Sequence, residues 1–146
     1  MQDPLMTEAT IQAELYHQCR LMGLRAVLEY NTPVRRMDLV VLSEDGKSVV
    51  AGVECKRPIM PSGRRRNENQ TANSRQMRRY QTTGITMLIL ISIDRAKEVA
   101  KTIKDRLLVE PTNYVTIETI QSIKKTPRQR KVRCVELDSD IIFRTN

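Results

Sequence analysis

Residues 36–56 read RMDLVVLSEDGKSVVAGVECK. Two apolar runs, Met37 to Leu42 and Ser48 to Val53, flank Ser43-Glu44-Asp45-Gly46-Lys47. Asp-Gly between β-rich runs is a strong short-range hairpin signal, because glycine takes the positive φ that tight turns demand. The two runs are therefore expected to pair antiparallel. Folding about Asp45-Gly46 places residues whose numbers sum to about 91 or 92 opposite each other, so Asp38 faces Val53 or Glu54. Either register brings the two carboxylates within reach across the ladder. Alternation along the second strand puts Glu54 and Lys56 on one face and turns Cys55 to the other.

Upstream, Thr7 to Met22 has the pattern of an amphipathic helix. Thr7 suits the N-cap and Glu8 the first turn. Ile11, Leu15, Cys19 and Met22 form an apolar stripe, Glu14 and Gln18 lie beside it, and Gly23 ends the helix. Leu24 to Tyr30 alternates as a strand, with Leu24, Ala26, Leu28 and Tyr30 on one face, up to Asn31-Thr32-Pro33. Downstream of Lys56, Pro58, Pro61, Gly63 and Arg64-Arg65-Arg66 suggest a basic loop over about 57–70 that leads into a helix near Ala72 to Thr82, closed by Gly84. Thr86 to Ser92 is nearly all apolar, as in a central strand covered on both faces. Asp94 is expected to cap a helix to about Leu108, with Ala96, Val99, Ile103 and Leu107 on its buried stripe. Tyr114 to Ile123 reads as a strand, Lys124 to Arg133 as a basic turn or linker, and Val132 to Leu137 and Ile141 to Phe143 as short terminal strands. The whole is an α/β pattern: a mixed central β-sheet flanked by helices on both faces. One domain over 1–146 is expected, with a core over about 7–108 and a basic, β-rich C-terminal extension over about 111–146.

The net charge is +8, which points to polyanionic partners. Aromatic residues are 3% of the chain, with no Trp, so nucleic-acid contact would rely on phosphate charge more than on base stacking. The three cysteines, Cys19, Cys55 and Cys134, are widely spaced, which argues against a disulfide framework or a cysteine-rich zinc cluster. His17 is the only histidine and reads as a surface residue. With no signal peptide and no apolar run near the ~20 residues of a membrane span, a cytoplasmic protein is expected.

Asp38, Glu54 and Lys56 would thus converge at one end of an apolar sheet. Two carboxylates this close repel unless a proton or a cation intervenes. Mg²⁺, a hard cation, suits them, and the Cys55 carbonyl could add another oxygen ligand. The thiol of Cys55 would face the core. An acid-x-Lys triplet alone carries little weight in a chain with 17 acidic residues, and Asp45-Gly46-Lys47 is another instance. The hairpin that sets Asp38 beside it gives the triplet its meaning.

This arrangement resembles the PD-(D/E)XK, or restriction-endonuclease-like, nuclease superfamily, whose pattern is an acid at the start of one core strand and acid-x-Lys on the next. The resemblance spans roughly residues 10 to 92. It implies an α-β-β-β-α-β-α core, with Asp38 and Glu54 as metal ligands, Lys56 as the catalytic lysine and Glu14 as the helix acid that joins them. Met37 stands where the pattern has Pro. Gln76 and Tyr80, four apart on one helix face, resemble the Gln-x-x-x-Tyr of the RecB-like exonuclease branch, which adds both to the candidate catalytic set. The spacing is also similar to that of archaeal Holliday junction resolvases, which are homodimers, and of compact phage VRR-NUC proteins. The activity so implied is Mg²⁺-dependent cleavage of DNA, with Mn²⁺ as a substitute, by a structure-selective endonuclease or an exonuclease. The alternative is a catalytically inactive DNA-binding or recombination-accessory module of the same fold.

Arg57, Arg64, Arg65, Arg66, Arg75, Arg78 and Arg79 follow the triplet and are the candidate DNA-gripping residues, since guanidinium matches phosphate bidentately. Lys124, Lys125, Arg128, Arg130, Lys131 and Arg133 form a second basic group.

Overall fold

Thr7 opens the first helix. Its side chain accepts a hydrogen bond from Thr10 N at 3.1 Å, satisfying one of the donors that a helix start leaves over. The computed structural model describes residues 7–57, 78–124 and 142–143, and this helix, α1, spans Glu8–Leu21. At its C-terminus Leu24 N bonds Cys19 O and Gly23 N bonds Arg20 O, both at 3.0 Å, with Gly23 at φ +76°. That is a Schellman motif, in which glycine supplies the left-handed residue. Ile11, Leu15 and Cys19 are fully buried, as their spacing requires.

The strands are β1 (Arg25–Asn31), β2 (Arg36–Leu42), β3 (Ser48–Cys55), β4 (Met87–Leu90), β5 (Val115–Thr116) and β6 (Ile142–Phe143). They form one mixed sheet in the order β1-β2-β3-β4-β6, with β5 paired to β3 off that path. The β3–β4 pair is parallel and the other pairs are antiparallel. A parallel pair needs a crossover. Its described part is helical at residues 78–81 and ends at Gly84, φ +74°, whose N–H reaches Gln81 O at 3.1 Å.

The β2–β3 hairpin forms as expected. Gly46 takes φ +73°, and its N–H bonds Ser43 O at 2.9 Å. Asp45 Oδ1 accepts from Ser43 Oγ at 2.6 Å and from Lys47 N at 2.9 Å. These bonds, the serine's first, hold the Asp45 carboxyl below its usual range. Both registers allowed by the sequence occur. Leu39, Val40 and Val41 face Val53, Gly52 and Ala51, whereas Leu42 faces Val49, so Val50 is the extra residue of a bulge.

Helices cover both faces of the sheet. On one, α1 packs beside α2 (Ala96–Thr102), which continues as a π-helical turn over Ile103–Leu107. Ile11, Leu15, Leu39, Val41, Val53, Cys55, Ala100 and Ile103 form that core. On the other, Met37, Val40, Val49, Tyr80, Ile85 and Met87 pack with Ile120 of α3 (Ile117–Gln121). Full burial of each large apolar side chain contributes roughly 1.5–3 kcal/mol.

Several details differ from expectation. Ser92, not Asp94, caps the helical segment that leads into α2: its side chain accepts from Asp94 N at 3.3 Å. Residues 114–123 divide into the two-residue β5 and α3, because Thr116 turns its side chain onto Thr119 N (3.1 Å) and starts a helix. Leu28 does not share the buried face of Leu24 and Ala26; it is 38% exposed, next to a kink at Glu29, φ +52°. The expected loop beyond residue 57, the start of the helix near Ala72, the strand Val132 to Leu137 and the basic group over 125–133 lie outside the described residues. Among the described residues no helix is long and apolar enough to cross a membrane.

Candidate functional site

Asp38 sits where β2 leaves both of its ladders. Pairing with β1 passes from Leu28–Leu39 to Tyr30–Met37, and pairing with β3 stops at Leu39–Val53. The residue opposite Asp38 on β1 is Glu29, in the left-handed region. Met37 and Val40 pack on the same face of the sheet, although three positions apart, while Leu39 packs on the other. A strand alternates with period two, so β2 makes a half-turn at Asp38. The Asp38 side chain then reaches across to β3, where its Oδ2 accepts from Cys55 N at 2.8 Å.

Glu54 is 5% exposed and is the only buried charged side chain among the described residues. Tyr80, fully buried, donates its hydroxyl to Glu54 Oε2 at 2.6 Å. Lys56 Nζ lies 3.5 Å from Glu54 Oε1. Burial pushes the Glu54 carboxyl above its usual range. The Tyr80 hydrogen bond opposes that rise, the charge of Asp38 adds to it, and Lys56 and Arg35 oppose it. Lys56 is placed by its backbone, whose N–H bonds Leu90 O of β4 at 2.9 Å, and its side chain remains 26% exposed. A buried acid against a second carboxylate and a half-exposed ammonium is the kind of environment in which functional groups are tuned.

Cys55 turns the other way, into the core shared with α1. Its thiol is raised by burial first and then by the charges of Asp38, Glu54 and Glu8. Burial pushes the Cys19 thiol up to about 12. Both stay protonated and unreactive at neutral pH.

The acid of α1 that meets the end of β3 is Glu8. Its Oε1 accepts from Arg57 N at 3.3 Å. Glu14, the helix acid suggested by sequence spacing, lies about 9 Å further along the axis at the α-helical rise. It takes a hydrogen bond from Gln18 Nε2 at 2.9 Å within its own helix. The reason is dimensional. A tight turn at Gly23 folds β1 back along α1, and the 14-residue helix and seven-residue strand are each roughly 20 Å long. The start of α1 therefore lies level with the Asp38 end of the sheet. The signal was a first-turn acid on a helix as long as its strand.

Arg35 is a second residue that sequence reasoning did not single out. Its guanidinium carbon is 5.7 Å from the centre of the Tyr80 ring. Of the expected gripping arginines, Arg57 and Arg79 are exposed and Arg78 is half-buried. Arg64, Arg65, Arg66 and Arg75, and the candidate Gln76, lie outside the described residues. His17 is exposed, as expected.

Among the described residues no group of three or more His, Cys, Asp or Glu side chains is arranged to hold a metal ion. Two carboxylates with a neighbouring backbone carbonyl are nonetheless a donor set that Mg²⁺ uses, since it keeps several waters and binds through one or two carboxylates plus substrate phosphate. No protein-family model, curated protein or solved structure matches the chain.

Proposed function

We propose that the chain is a metal-dependent nuclease of the PD-(D/E)XK kind, with Asp38, Glu54 and Lys56 as its catalytic set. The observation that carries this reading is the buried Glu54 carboxyl, 3.5 Å from Lys56 and one residue before the Cys55 N–H that Asp38 Oδ2 accepts at 2.8 Å. Burying an acid beside a second acid is unfavourable for stability alone, and hydrophobic residues would fill that space better. The order helix, three antiparallel strands, crossover and parallel strand supports a restriction-endonuclease-like core.

Asp38 and Glu54, with the Cys55 carbonyl, would hold Mg²⁺ or Mn²⁺. When bound, such an ion lowers the pKa of a water and offsets charge on a phosphoryl oxygen. Tyr80 fixes the orientation of Glu54 through its hydroxyl. Lys56 orients the attacking water and stabilises the charge that develops on the phosphate. The +8 net charge and exposed Arg57 and Arg79 fit a DNA substrate held by its backbone.

The test incubates the protein with linear duplex, single-stranded, circular and four-way-junction DNA, with Mg²⁺ or EDTA, beside Glu54→Ala and Lys56→Ala. Cleavage by wild type in Mg²⁺ only, reduced at least 100-fold in both variants, is expected. Identical behaviour of all three proteins defeats the enzyme reading. Binding without cutting selects the DNA-binding module. Paired symmetric nicks confined to junctions select a resolvase, a homodimer by the same resemblance, and nicking of circles excludes a strict exonuclease.

A further inference from the structure

Arg35 stands three residues before Asp38, at the root of β2. Its backbone is clamped by Thr32. Thr32 Oγ1 accepts from Arg35 N at 2.9 Å and from Val34 N at 3.3 Å, and Arg35 O accepts from Thr32 Oγ1 at 2.6 Å and from Thr32 N at 3.0 Å. The side chain is half-buried over the Tyr80 ring, and the hydroxyl of that same tyrosine holds Glu54. Among the described residues the Arg35 guanidinium makes no ion pair, whereas Lys56 is engaged by Glu54. Its N–H fork is therefore open to solvent on its exposed side, where a backbone phosphate could take it in place of water. Its charge also favours ionised Glu54, which places it within electrostatic reach of the site.

We propose that Arg35, seated on the ring of Tyr80, is the phosphate-binding residue of this site, donating its N–H fork to a non-bridging oxygen of a nucleic-acid backbone phosphate beside Asp38 and Glu54. The proposal rests on the nuclease reading and adds a substrate contact to it. Tyr80 then has two functions on opposite parts of one side chain. The hydroxyl orients Glu54, and the ring face orients Arg35 by cation–π attraction. Lysine at position 35 would keep the charge but lose the fork and much of the stacking.

The experiment separates this contact from cleavage. Anisotropy titrations of a fluorescein-labelled DNA duplex in EDTA, over a series of salt concentrations, compare wild type with Arg35→Ala, Arg35→Lys and Tyr80→Phe. Arg35→Ala is expected to weaken binding about tenfold, as befits one lost charge-assisted contact, and to reduce the salt slope by about one phosphate. Arg35→Lys should keep the slope with weaker binding. Tyr80→Phe keeps the ring, so it should bind as wild type while kcat in Mg²⁺ falls through the misoriented Glu54. In Mg²⁺, Arg35→Lys should raise KM more than it lowers kcat. An unchanged salt slope in Arg35→Ala, with a lower melting temperature, would make Arg35 a packing residue and overturn the proposal. So would wild-type KM and salt slope in Arg35→Lys and Arg35→Ala alike, and that result leaves the nuclease reading standing if wild type cuts. Wild type that binds duplex normally in EDTA but never cuts defeats the nuclease reading, and the Arg35 slope then still decides the contact.

Discussion

Replacing Glu54 by Gln should make the protein more stable and, on the proposed nuclease reading, inactive. Glu54 is 5% exposed, its carboxyl is raised by burial and by Asp38, and Tyr80 and Lys56 offset that only in part. An acid whose folded pKa exceeds its unfolded pKa binds its proton more tightly in the folded state. Stability therefore falls as pH rises from the unfolded value, about 4.3 for Glu, through the folded one, and stays at the lower level above it. Gln keeps an oxygen for the Tyr80 hydroxyl and removes the charge. Lys56, already partly exposed, can return to water. A gain of about 1 kcal/mol at pH 7 in EDTA is expected, typical for relief of a functional site. For a domain of this size that is roughly 3–4 °C in Tm. Calorimetric or CD melts of both proteins between pH 3.5 and 8, with and without Mg²⁺, check it. The difference should vanish towards pH 4, open as pH rises and then level off. On the metal-binding reading, Mg²⁺ at ten times its Kd should stabilise wild type only, by about 1.4 kcal/mol, and so reverse the sign of the difference. A variant less stable than wild type at pH 7, with no dependence on pH or Mg²⁺, would show that Glu54 is held as a structural ion pair.

Further outcomes follow from the backbone and the hairpin. Glu29→Gly should raise stability by about 1 kcal/mol, since φ +52° suits glycine and strains glutamate; a loss in thermal melts would mean that the Glu29 side chain contributes more than the strain costs. Gly52→Val should lower stability by about 1–3 kcal/mol in urea unfolding, because a Cβ there meets Met87 Sδ at 2.6 Å and Met37 Sδ at 3.3 Å in a closed core. Asp45→Asn should flatten the acid limb of the stability profile. The Asp45 carboxyl is lowered in the fold, so its contribution is complete above the unfolded aspartate range and is lost as pH falls through the folded value. An acid limb identical to wild type would count against the Ser43 and Lys47 contacts as its cause.

The sequence by itself determined the α1 stripe with its Thr7 cap and Gly23 stop, the Asp45-Gly46 hairpin and the apolar β4. These depend on local turn chemistry and on periodicity, which adjacent residues carry. It also limited Asp38 to a place facing Val53 or Glu54, because a hairpin has few registers; the Val50 bulge, which uses both allowed registers, and the bond from Cys55 N to Asp38 were not foreseeable. Local propensity failed at 114–123, where a Thr116 cap outweighed partial alternation. Only the tertiary structure decided which acid of α1 reaches the sheet end. That depends on how a helix and a strand of matched length lie against each other, and it selects Glu8 rather than Glu14. Resemblance alone puts Tyr80 among the candidates; the tertiary structure seated it, from the far side of a crossover, on Glu54, and set Arg35 over its ring. Contacts between residues 26 and 45 positions apart leave no periodic trace in a chain, because each is fixed by the packing of whole elements rather than by its neighbours.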